Sequence, residues 1–177
     1  MLRYDIQELG VSGFAAELDH LVGVYAVAMD APGDQLAGRR VIMAGHASYP
    51  GFTALRAMSG GQTAGFSYGF HGAPGQWWHD HVAVGVKPQW LADCLEIAEL
   101  HVAPEFQGHG IGTALLCRLT EGRSERTAVL STRDSETRAR RLYRHLGFTD
   151  LLTGYRFDGT GAAFAIMGAT LPLRSSS

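Results

Sequence analysis

A chain of 177 residues with 46% hydrophobic content has the length of one ordinary domain and enough apolar material for a core. Its formal charge of −2 gives no electrostatic footprint for nucleic acid. The two cysteines, Cys94 and Cys117, make no disulfide framework, and no apolar run nears the roughly eighteen residues of a membrane span.

Residues 3–9 alternate as a short strand does, and Ser12 is placed to cap a helix through FAAELDHLVGVYAVAM. Phe14, Leu18, Leu21, Val22 and Tyr25 recur at spacings of three and four, which puts them on one buried face. APGD at 31–34 breaks that helix, and a second is predicted through QLAGRRVIMAGHA, ending before YPG at 49–51. FTALRAMS and TAGFSYGFHG read as two strands joined by a hairpin at GGQ. Residues 72–93, with Pro74, Pro88 and three tryptophans, read as a loop with a short helix. CLEIAELHVAP at 94–104 is a fourth strand, stopped by Pro104.

A helix over residues 110–122 and a buried strand, TAVLSTR, at 127–133 follow. DSETRARRLYRHLGF is predicted as a helix with Ser135 as N-cap and Gly147 as its stop. TDLLTGYRF and FAIMGATLP form two last strands around DGTG, and the final RSSS is expected to fray. The opening MLRYDIQELG has no apolar stretch after its basic start, so a cytoplasmic location is expected. The element order makes a single mixed α/β domain over 1–177, with a strand–helix–strand unit at its centre.

The densest chemical signal is LHVAPEFQGHGIGTALL at 100–116, with glycine at 108, 110 and 112. A strand entering a glycine-rich turn and then a helix start is an anion-binding geometry. The first-turn amides have no partner inside the helix, and the helix dipole favours negative charge there. Bare glycines let a diphosphate approach those amides. The nucleotide P-loop is excluded because the sole lysine is Lys87, and the dinucleotide fingerprint fails because Thr113 stands where its third glycine belongs. What remains is Gln107-x-x-Gly110-x-Gly112 behind LHVAP.

That stretch resembles motif A of the GNAT superfamily of N-acetyltransferases. ETRARRLYRHLGF at 136–148 resembles the family's motif B, with a gap between them that suits one strand. The resemblance implies a mixed, largely antiparallel sheet with splayed central strands and flanking helices. The core motifs would span 94–150, and residues 72–93, from their position before the fourth strand, would wall an acceptor pocket. It also implies acetyl transfer from acetyl-CoA, as co-substrate, to a primary amine by direct attack in a ternary complex. A non-catalytic acyl-CoA-binding sensor is the alternative from another class.

By similarity, the amides of Gln107, Gly108, His109, Gly110, Ile111, Gly112 and Thr113 would hold the pyrophosphate. Leu100 and Val102 would pair with the pantetheine arm through their backbone. The family bends its fourth strand at a bulge, exposing an amide that would stabilise the oxyanion. Tyr143 stands where the family often keeps a general acid for the departing thiolate. An amine nucleophile also needs a base, and Glu96, Glu99 and His101 on the fourth strand are the candidates. Strand alternation puts Glu96 with Leu100 and Val102, and Glu99 with His101 on the other face. Glu136 replaces an asparagine common in motif B and is expected in the first turn of the helix, where a carboxylate is favourable.

Other constellations are weaker. On a strand, His79 and His81 in WWHDH would face one way, but no third ligand stands at a recognised spacing, so no metal is expected. No GxSxG is present to supply a serine nucleophile. The expected partners are a small-molecule amine or a peptide or protein amine, with neither nucleic acid nor membrane. Dimers are frequent in the family, so a homodimer is among the expectations.

Overall fold

The computed structural model describes residues 1–174 and divides into two compact units. The predicted fraying of RSSS covers Arg174 and residues 175–177, and the last three lie outside the described residues. Strands β1 to β7 form a seven-stranded sheet in the order β1-β2-β3-β4-β5-β7-β6. It is mostly antiparallel and flanked by helices, as the resemblance implies. β4 (Cys94–Val102) is divided, with Cys94–Ile97 in the second unit and Ala98 onward in the first.

In the first unit β1 (Asp5–Leu9) runs directly into α1 (Val11–Met29). The first helical bond joins Phe14 N–H to Gly10 O at 2.8 Å, so the helix begins before Ser12. Gly10 is the cap and Ser12 lies inside the first turn, correcting the predicted start. Phe14, Leu18, Leu21, Val22 and Tyr25 are all buried, as their spacing requires. They pack with Met43 of α2 (Leu36–His46) against Phe66, Tyr68 and Phe70 of β3 (Gln62–Gly72). β2 (Thr53–Ser59) and β3 form the predicted hairpin, turning at Gly60 and Gly61.

The second unit carries α3 (Trp77–Val82), the short helix expected within residues 72–93. Val82 joins Val86, Leu91, Cys94, Val129 and Ile166 in a core that Trp78 and Trp90 cover. β4 pairs in parallel with β5 (Thr127–Arg133) from Cys94↔Thr127 to Glu96↔Val129. β6 (Thr149–Tyr155) and β7 (Phe164–Thr170) complete the sheet, β7 lying antiparallel to both β5 and β6.

α5 (Arg138–His145) starts later than predicted. Thr137 Oγ1 accepts the Arg140 N–H at 3.0 Å and is the cap. Ser135 and Glu136 are spent in the preceding turn, where the amides of Ser135 and Thr137 bond back to Arg133 and Ser135 carbonyls. Glu136 therefore precedes the helix, with its side chain 63% exposed and ion-paired to Arg144. His79 and His81 lie on a helix, not a strand. Residues two apart on a helix point to different sides, and accordingly His79 is buried while His81 is only half-buried.

Candidate active site

The glycine-rich segment lies wholly in the first unit. β4 ends at Val102, a 3₁₀ turn covers Pro104–Phe106, and α4 (Ile111–Thr120) begins after Gly110. Gly108 and Gly110 both have φ of 81°, a conformation that a side chain makes costly. A Cβ at Gly110 would meet nothing nearer than the Tyr4 hydroxyl at 3.9 Å, so backbone conformation rather than crowding requires glycine there. The first helical bond runs from Ala114 N–H to Gly110 O at 2.9 Å. The amides of Ile111, Gly112 and Thr113 precede it and have no acceptor within the helix.

Two further details set the approach to this turn. Gln107 Nε2 donates to Val102 O at 2.9 Å, tying the loop back to the end of the strand. The Glu99 carbonyl accepts from Ser67 Oγ at 2.7 Å, and Ala103 N–H donates to Ala64 O at 2.9 Å. A Cβ on Gly65 would stand 2.7 Å from the His101 carbonyl, so β3 and β4 close to a distance only glycine allows. Residues 99, 101 and 103 thus turn their backbone groups toward β3. The alternation of an extended chain turns those of Leu100 and Val102 the other way.

The carboxylate of Glu99 is 6% exposed and engaged at both oxygens. Arg39 Nη1 lies 3.1 Å from Oε1, and His101 Nε2 makes a short contact with Oε2. The Arg39 guanidinium sits 4.7 Å above the Tyr25 ring, and the His101 ring meets Tyr25 and Phe66 at 5.2 and 5.5 Å. His46 Nδ1 pairs with the Tyr68 hydroxyl at 2.8 Å. Burial holds the His46 imidazole below its ordinary value, Glu99 pulls it up, and Arg39 pushes it down. Glu99 and His101 do share a face of β4, as alternation predicts. Arg39 lies sixty positions away, and sequence spacing gave no sign of it.

The second unit holds Glu96 and Tyr143. Glu96 is 4% exposed, its Oε2 has no partner, and burial raises its carboxyl to about 8. A carboxyl in that range can give and take a proton near neutrality. Tyr143 is buried on α5, with its ring 5.8 Å from Phe148. Beneath α5, Arg140 pairs with Asp134 at 2.7 Å and Asp150 at 3.0 Å. This buried arginine was hidden in a run of arginines that reads as a solvated face. Cys94 is buried with Sγ 3.9 Å from the Gly72 carbonyl, and its thiol is pushed up to about 12 by burial and by the nearby carboxylates.

A strand, a left-handed glycine turn and a helix start, carried on a largely antiparallel sheet, define an acyltransferase-type fold. The sequence matches the acetyltransferase (GNAT) domain family over residues 57–150, and the chain belongs to that family. Among curated proteins it is 44% identical over 128 residues to the GCN5-like protein acetyltransferase Rv2170 of Mycobacterium tuberculosis. That alignment takes in 66% of this chain and 62% of the relative's length. A GNAT-family acetyltransferase structure from Desulfovibrio desulfuricans superposes with a TM-score of 0.70 at 15% identity, covering 95% of this chain and 99% of that one. The PaiA N-acetyltransferase of Thermoplasma acidophilum, solved with coenzyme A, gives 0.65 at 14% identity, covering 96% and 99%.

Proposed function

We propose that the protein transfers an acetyl group from acetyl-CoA to a primary amine, both bound together, without an acetylated enzyme intermediate. The observation that carries this reading is the Gln107–Thr113 turn, where Gly108 and Gly110 adopt the left-handed conformation just before three unpaired helix-start amides. Those amides, with the backbone of Leu100 and Val102, would hold the pyrophosphate and pantetheine arm. When bound, acetyl-CoA supplies an activated acyl group and a thiolate leaving group.

The protein's own groups move the protons. Glu96 is raised to about 8 by burial, and its ionised form, which grows as pH rises toward 8, takes the proton that the amine nitrogen loses as its bond to carbon forms. Tyr143 gives its phenolic proton to the departing sulfur. The name of the 44% identical relative supports a protein amine as acceptor. The two carboxylates that sequence left as rival bases now differ in state. Glu96 keeps an oxygen without a partner, whereas both oxygens of Glu99 are paired, which supports Glu96.

The test is thiol release from acetyl-CoA with a panel of peptide and small-molecule amines, with mass spectrometry of the acceptor. Acetylated amine that disappears in Glu96→Gln and falls steeply in Tyr143→Phe is the expected result. Binding of acetyl-CoA without turnover on any amine would make the protein a sensor instead. Acetylation of a residue of the protein itself would replace direct transfer by a two-step route.

A further inference from the structure

Tyr4 meets the glycine turn from a part of the chain that carries no motif. Its hydroxyl lies 3.9 Å from the place a Cβ on Gly110 would take, and apart from that glycine's own chain neighbours no other atom comes within 4 Å of it. Gly110 is the residue just before the Ile111, Gly112 and Thr113 amides, which have no acceptor within the helix. Tyr4 and the turn belong to the same compact unit.

The backbone holds Tyr4 from both sides. Ser59 Oγ, at the end of β2, donates to the Arg3 carbonyl at 2.8 Å, and Asp5 opens the β1–β2 ladder opposite Met58. Alternation then sets the face. Asp5 and Gln7 share one side, where Gln7 bonds to Arg56 and Arg56 pairs with Glu17 of α1. Tyr4 takes the other side with Ile6, whose partner Ala57 is buried. The phenol is half-buried, yet among the described residues its hydroxyl makes no hydrogen bond. Unspent donors of two kinds, helix-start amides and a fixed hydroxyl, therefore stand within a residue of each other.

We infer that Tyr4 is a cofactor-binding residue, its hydroxyl donating to an oxygen of the acetyl-CoA diphosphate at the glycine turn. The inference rests on the acetyl-CoA reading above and adds to it a residue from outside the motif. A hydrogen bond from O–H to a phosphate oxygen is charge-assisted, about twice as strong as one between neutral groups. Ser59 is a positioning residue, because its bond to Arg3 fixes the chain one step before the phenol. Since the hydroxyl has no partner within the protein, its removal leaves the free fold as it was and is felt only in binding.

The experiment is titration calorimetry of wild type and Tyr4→Phe with CoA and with dephospho-CoA, which keeps the diphosphate and lacks the phosphate on the ribose. The variant should bind both about 10- to 100-fold more weakly, the range of one hydrogen bond to a charged group. Its unfolding temperature without ligand should equal that of wild type. The carbon-13 signal of the hydroxyl-bearing ring carbon of Tyr4, assigned from the variant, should shift when dephospho-CoA is added. Equal affinities in the two proteins, or an unmoved carbon signal, would overturn the inference. So would a loss confined to CoA, which would move the contact to the ribose phosphate, or a lower unfolding temperature in the free variant, which would make the phenol a packing residue. Wild type that binds neither compound would instead bring down the acetyl-CoA reading itself, and this contact with it.

Discussion

Glu96 titrates at its ordinary 4.5 in an unfolded chain and at about 8 in the folded one. Between those values the folded state holds a proton that the unfolded state has lost. Stability from this group is therefore fully present below 4.5, falls as pH rises, and is gone above about 8. Within that window the slope is about 1.4 kcal/mol per pH unit. Urea midpoints at pH 5.5 and pH 8 should diverge for wild type and draw together in Glu96→Gln, apart from what other groups contribute. Equal divergence in both proteins would mean that the carboxyl is ionised inside the fold. Gly110→Ala should cost about 1–2 kcal/mol through its left-handed backbone alone, since no atom crowds the added methyl. Acetyl-CoA affinity should fall with it, and calorimetry would separate the two losses.

At the scale of elements, α5 depends on a cap that the sequence disguises. Thr137→Ala removes the bond to the Arg140 amide and should lower stability by about 1 kcal/mol, while Ser135→Ala should leave the denaturation midpoint where it is. DSETR offers three residues able to cap a helix, and the use of Asp134 to bind the Gly154 amide and Arg140 helps decide among them. Regular elements were legible because their periods are local. The buried face of α1 follows from spacing, and TAVLSTR coincides with β5. The glycine turn was legible because three small residues on one short segment have few other uses. The Glu99 cluster was not, since its partners on α1 and α2 come from distant positions and Arg39 looks like any surface arginine. The short helix expected within residues 72–93 is there, but its six residues are too few for periodicity to assign WWHDH to helix rather than strand from sequence alone.

At the scale of the whole molecule, a ligand that binds only the folded chain adds about 2.7 kcal/mol at a hundred times its dissociation constant. For a 19.1 kDa protein that raises the unfolding temperature by about 5–11 °C. Acetyl-CoA and CoA should produce that rise, and ATP and NADH should not. Scanning fluorimetry with all four is the quickest check, and an unmoved transition at millimolar acetyl-CoA would remove the basis for any transfer chemistry.

Cys94 gives the protein a built-in clock. A thiol raised to about 12 and buried against Gly72 is thiolate in only on the order of one molecule in ten thousand at pH 8, and it is shielded as well. Alkylating reagents and disulfide dyes should therefore find it only when the start of β4 opens. The labelling rate of Cys94 then measures how often that strand comes apart, molecule by molecule and without denaturant. The same reticence keeps Cys94 silent in any dye assay that counts the thiols released by turnover.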